Sequence, residues 1–122
     1  MSRLDKVHVD PWEVQLRKGS LELAVLASLW GGPAYGLEIL KALKNSASLI
    51  VPEGTIYPLL SRLKAEGLLT SQWVEAENGR PRKYYQLTEI GRGKLLAMAE
   101  AWESFADNLS AHLRPLRRPP GP

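Results

Sequence analysis

Apolar residues recur at helical spacing in four stretches of the chain and at strand-like spacing in one. In "WEVQLRKGSLELAVLASLW", Leu16, Val25 or Leu26, Leu29 and Trp30 hold one face, and Gly31-Gly32-Pro33 halts the run. Gly19 is a poor interior residue, so this helix could instead begin at Ser20, a good N-cap type. In "AYGLEILKALKNS", Leu37, Leu40 and Leu43 repeat with Ile39 adjoining, and the pattern closes on Lys44-Asn45. Gly36, in the first turn, costs roughly 1 kcal/mol relative to alanine. Close approach of another helix is the best reason to keep it.

The third stretch is "GTIYPLLSRLKAEGLL". Ile56, Leu59, Leu60 and Leu63 fall at i, i+3, i+4 and i+7, one buried helical face, and Gly67 ends the helix before Leu68-Leu69. Proline is comfortable only in a first turn, so Pro58 places the cap at Gly54 or Thr55, of which Thr55 is the better by side chain. Tyr57, Ser61 and Lys64 then share a stripe facing away from the leucines.

Residues 69 to 76 and 82 to 88 are rich in β-branched and aromatic types, and Asn78-Gly79 between them is a hairpin signal because both residues can take positive φ. Just past that turn Arg80, Arg82 and Lys83 gather three positive charges around Pro81. Tyr84 and Tyr85 alternate along the second strand, so one is expected inside and the other outside. Trp12, Trp30 and Trp73 read as core or inter-helix packing, and Arg17-Lys18 as a solvated turn.

After Thr88, a plausible N-cap, Leu95, Met98, Trp102, Phe105 and Leu109 alternate steps of three and four, the spacing of a coiled-coil seam, with Ala99 and Ala106 as small neighbours. Such a helix is about 35 Å long at 1.5 Å per residue, more than a small core can cover. A second copy is the economical partner, which predicts a two-fold homodimer with Leu95, Met98, Ala99, Trp102, Phe105 and Leu109 at its interface. The chain accordingly divides into a flexible N-terminus (1–11), a winged helix-turn-helix domain (12–88), a dimerisation helix (89–113) and a disordered basic proline-rich tail (114–122).

Three helices, then a basic hairpin, then a long helix predict a mainly α fold with one small β-hairpin: a winged helix-turn-helix with a C-terminal dimerisation helix. In that layout Thr55, Tyr57, Ser61 and Lys64 of the third helix are placed for a major groove about 12 Å wide. Arg80, Arg82 and Lys83 are placed for phosphates or the minor groove. The expected partner is double-stranded DNA. The rival reading is a winged-helix module that docks on protein; it would expose apolar residues on the third helix.

Composition removes other classes. The chain has 122 residues, 44% of them hydrophobic, and a net charge of +3, which permits a polyanionic partner without demanding one. It has no cysteine, and its two histidines, His8 and His112, are far apart, so a metal site is not expected. The longest apolar run, Leu23 to Trp30, is much shorter than the ~20 residues a membrane span needs. A cytoplasmic, membrane-free location is the expectation. No nucleophile pair or phosphate-cradling loop points to an enzyme or a cofactor.

Together, "AYGLEIL", "GTIYPLLSRLKAEGLL" and "NGRPRKYYQLTEIGR" make the chain resemble the PadR family of bacterial transcriptional regulators over roughly residues 15 to 112. The resemblance implies a homodimeric winged-helix repressor of pseudo-palindromic operators. Within it, Tyr57, Ser61 and Lys64 match recognition-helix positions, Arg80, Arg82 and Lys83 match the wing, and Gly36 matches the glycine of the second helix. Room for a single C-terminal helix places the chain with the small class, some of whose members bind flat hydrophobic compounds at the dimer interface. Trp102, mid-seam, either packs that interface or faces its two-fold mate and leaves space for a small hydrophobic or phenolic effector that releases the operator. The proline-rich tail has no assigned counterpart in the family.

Overall fold

The computed structural model describes residues 11–118 and 120–121. Apart from Pro11, the N-terminal segment expected to be flexible lies outside the described residues. The elements run α1 (Pro11–Ala27), β1 (Ala34–Tyr35), α2 (Gly36–Ala47), α3 (Glu53–Ala65), β2 (Leu69–Glu75), β3 (Pro81–Leu87), α4 (Glu89–Leu113) and a 3-10 turn (Arg114–Arg117). This is a mainly helical winged helix-turn-helix with a long C-terminal helix.

The core collects one apolar face from each element: Val25, Leu26 and Leu29 of α1 and its end, Ile39 and Leu43 of α2, Ile56, Leu60 and Leu63 of α3, Leu69, Tyr85 and Leu87 of the sheet, and Leu95 of α4. Helix α1 does not wait for Ser20. It runs through Gly19 from Pro11, because proline suits a first helical turn and a single interior glycine costs only about 1 kcal/mol. Helix α2 passes Asn45 and stops at Ser48, whose positive φ of 55° turns the chain so that the Leu49 N–H donates to the Leu43 carbonyl at 3.0 Å.

The sheet has three strands rather than two, in the order β1-β3-β2, both pairs antiparallel. β1 is only two residues long, too short to leave a periodic signal. The hairpin turn also differs from expectation: of Asn78 and Gly79 only Gly79 has positive φ. Its N–H donates to the Ala76 carbonyl at 2.9 Å, and the Ala76 N–H donates to the Arg80 carbonyl at 2.9 Å. A three-residue loop with glycine in the left-handed position satisfies the strand twist without asking Asn78 to leave its preferred region.

Thr88 welds α4 to the rest. Its side-chain oxygen accepts from the Gly91 N–H at 2.9 Å while its hydroxyl donates to the Gly67 carbonyl at 2.7 Å, and its own N–H donates to the Leu68 carbonyl at 3.0 Å. The end of α3 and the start of α4 therefore share one corner. Past α4 the chain does not immediately leave regular structure as expected of a tail from 114 onwards: Arg114–Arg117 makes a 3-10 turn, with Pro115 near its start where no N–H is required.

Candidate nucleic-acid interface

Helix α3 begins earlier than Pro58 suggested. Pro52 is the N-cap and Glu53 the first helical residue, so Thr55 lies inside the helix and donates its N–H to the Pro52 carbonyl at 3.0 Å. Pro58 sits in the second turn. It removes a bond to the carbonyl of Gly54, an exposed residue whose carbonyl water can reach. The other end follows the expectation at Gly67, whose φ of 83° lets Leu68 and Gly67 return hydrogen bonds to the Leu63 and Lys64 carbonyls, both at 3.0 Å.

On the outer side of α3, Thr55, Ser61 and Lys64 are all exposed. Tyr57 is less free, at 39% exposure. Its ring lies across the N-terminus of α2, so close that a Cβ on Gly36 would meet Tyr57 Cε1 and the hydroxyl at 2.5 Å. This is the close approach Gly36 announced, made by a side chain of α3. Tyr57 also neighbours the buried Tyr85, whose phenol is held above its ordinary value first by burial and then by Tyr57.

Arg62 was not singled out from sequence, and it lies among these residues. Its guanidinium donates to Glu66, one turn on in α3, at 2.8 Å and to Glu22 of α1 at 2.9 Å. Those two carboxylates hold Arg62 above its ordinary value, the Glu22 hydrogen bond first. The Glu66 contact was readable as an i,i+4 pair, whereas the Glu22 contact spans 40 residues of chain. Arg62 braces α3 against α1.

The wing cations separate by strand alternation. Arg80 is exposed at the tip, its N–H donating to Asn78 Oδ1 at 3.0 Å. Arg82 and Lys83 are consecutive in β3 and so point to opposite faces. Arg82 stacks over Tyr35 of β1, 4.5 Å from the ring centre, and Tyr35 meets Tyr84 edge-on at 5.3 Å. Lys83 takes the other face, with Trp73 and Tyr85. Trp73, expected to be packed, is 65% exposed. Trp12 and Trp30 are exposed too, Trp30 beneath the Arg92 guanidinium at 5.3 Å. None of the three fills the core, which is built from aliphatic side chains and Tyr85.

Of the seam residues, Leu95 belongs to this chain's own core and Met98 packs against it. Ala99 and Ala106 are half-buried, while Trp102, Phe105 and Leu109 stand in solvent, with Trp102 49% exposed. Sequence spacing treated all of these as one stripe, since periodicity records a face but not what covers it. Trp102 closes one side of a groove of about 590 Å³ whose other walls include Leu16, Leu23 and Leu49.

Three helices, a small antiparallel sheet with its hairpin wing and a long fourth helix make the protein a winged helix-turn-helix. The profile described as "Transcriptional regulator PadR-like family" matches residues 25–97. A PadR family transcriptional regulator from Eggerthella lenta is 32% identical, with 92% of this chain and 97% of that chain covered and a TM-score of 0.77. A PadR-like transcription factor from Bacteroides fragilis is 43% identical over 84% of this chain and 98% of that one, at a TM-score of 0.67. A transcriptional regulator of Mycobacterium tuberculosis is 30% identical over 75% of this chain and 84% of its own length. The chain belongs to the PadR-like family of transcriptional regulators. No helix among the described residues is long and apolar enough to cross a membrane.

Proposed function

We infer that two copies of this chain bind a pseudo-palindromic operator as a repressor, and that a small hydrophobic effector releases them. The observation that carries the reading is the exposed polar stripe of α3, Thr55, Ser61 and Lys64, set beside a wing with Arg80 at its tip. Side chains of that kind suit base edges and phosphates in a major groove, and the wing cations supply salt-sensitive affinity. Tyr57, packed over Gly36, adds an aromatic contact in the early turns of the helix. Arg82, braced on Tyr35, and Lys83, on the other face of β3, add to the positive charge of the wing.

The alternative of a protein-docking module finds less support, since apart from Tyr57 and the half-buried Leu59 the outer side of α3 lacks large apolar side chains. Homodimerisation rests on the uncovered apolar positions of distal α4, and the effector on the groove beside Trp102. The test is titration of the chain against its own upstream region at several salt concentrations. Binding well above that to random duplex, lost on adding a planar hydrophobic dye, is expected. Affinity no greater than for random duplex would overturn operator recognition, and a complex indifferent to such dyes would overturn the effector arm.

A further inference from the structure

Of the arginines and lysines among the described residues, only Arg62 is ion-paired, and it is paired twice. It is also the single arginine of α3, which reads EGTIYPLLSRLKA. Arg62 follows Thr55 by two helical turns on the same stripe, so it edges the outer side of α3, away from the buried Ile56, Leu60 and Leu63. Its side chain is half exposed. Yet one terminal nitrogen donates to Glu66 at 2.8 Å and the other to Glu22 of α1 at 2.9 Å. The parallel N–H donors that a phosphate would take are thereby split between two carboxylates. Stability does not account for the arrangement, since exposed ion pairs contribute little. Nor does neutrality, because one cation between two anions leaves the cluster net negative. Lys64 and Arg80, by contrast, have no ion-pair partner among the described residues.

We propose that Glu22 and Glu66 keep Arg62 off the duplex, and that this restraint lowers sequence-indifferent binding and so sharpens the choice of site. The proposal deepens the operator reading above and rests on it. A free arginine on the outer side of α3 would pair with phosphate wherever the chain lands, and on a random duplex the helix can shift until that contact is made. Where base contacts fix the register of α3, the same side chain reaches only the phosphate that happens to lie nearby, and it gains less. Tethering the guanidinium therefore takes more from unspecific complexes than from specific ones, and specificity is a difference of affinities. The excess negative charge works in the same direction, repelling phosphate from this edge of α3 and leaving Lys64 and Arg80 to meet it. Glu22 thus takes part in site choice from α1, outside the helix-turn-helix pair α2 and α3.

The probes are a random-sequence duplex of about three helical turns and a duplex from the chain's own upstream region, each titrated by fluorescence anisotropy across a salt series with the full chain. Glu22→Ala combined with Glu66→Ala is expected to bind the random duplex about fivefold tighter than wild type, with a salt slope steeper by about one, and the upstream duplex only about twofold tighter. Either single change falls between. In an Arg62→Gln background the same two changes give no gain, and thermal unfolding confirms that each variant is folded. A folded double variant whose random-duplex affinity and slope match wild type overturns the restraint. So does a gain that persists without Arg62, which belongs to the lost negative charge alone. Equal gains on the two duplexes overturn the role in site choice. A wild-type chain that prefers neither duplex overturns operator recognition, a failure that the random-duplex gain keeps separate from that of the restraint. One that binds no duplex overturns both.

Discussion

Two glycines show how a single missing Cβ can serve different ends. At Gly91 an added Cβ would collide with the backbone carbonyl of Leu68, which is itself fixed by the Thr88 N–H. Backbone cannot step aside, so Gly91→Ala is expected to cost about 1–3 kcal/mol, read as a lower midpoint in denaturant. At Gly36 the obstacle is the Tyr57 ring, which can swing outward, and alanine is the better helix former by about 1 kcal/mol. Gly36→Ala should leave stability within roughly 1 kcal/mol of wild type while weakening duplex binding through a displaced Tyr57. Equal losses of stability at the two sites would refute the distinction. A third residue sets an alkaline limit. Tyr85 is raised above its ordinary value of 10.0 by burial and by Tyr57. Above about pH 10 the unfolded chain loses this proton first, so the folded state binds more protons and stability falls as pH rises. Below that pH both states are neutral and Tyr85 has no effect. Thermal scans from about pH 8 to about pH 11 should show a decline above pH 10 that is shallower in Tyr85→Phe; an identical decline would assign it elsewhere.

At the scale of elements, what was legible was what leaves a local or periodic mark. The buried face of α3, the Gly67 terminator, the Thr88 cap and the hairpin each rest on residues a few positions apart, and each appears in the fold. The start of α3 did not follow, because the proline rule ranks positions without forbidding the second turn where Gly54 leaves its carbonyl to water. β1 was invisible since two residues hold no period, and it exists through its pairing with Tyr84 and Tyr85. The wing's division of labour was only half visible. Alternation in β3 separates Arg82 from Lys83, but that Arg82 would be claimed by Tyr35, 47 positions earlier, depends on a strand sequence could not reveal. The same holds for Arg62, whose bond to Glu22 ties α3 to α1. As an exposed pair it contributes little to stability. Its consequence is orientation: the Arg62 guanidinium is held between a carboxylate of α3 and one of α1.

For the whole molecule, the question is what covers the distal half of α4. Its proximal half enters the core through Leu95, but Trp102, Phe105, Leu109 and Leu113 are exposed on a helix 25 residues long. Leu16 and Trp12 of α1 are open as well. A 122-residue chain buries a modest fraction of its surface, so leaving four large apolar side chains of one helix in water gives up stability it can ill spare. In the proposed dimer a second copy would offer the matching stripe, and self-complementarity would close the assembly at two. The proposed dimer would also give operator recognition its geometry, since helices paired by a two-fold axis engage half-sites about 34–36 Å apart. If folding and association are linked in this way, the thermal midpoint rises with protein concentration, because mass action stabilises the bound state. Trp102→Asp places a charge in the middle of that stripe and should abolish the concentration dependence, halve the sedimenting mass and weaken duplex binding while leaving helical content intact. A Trp102→Asp chain that sediments at the wild-type dimer mass would show that α4 is covered by something other than its twin.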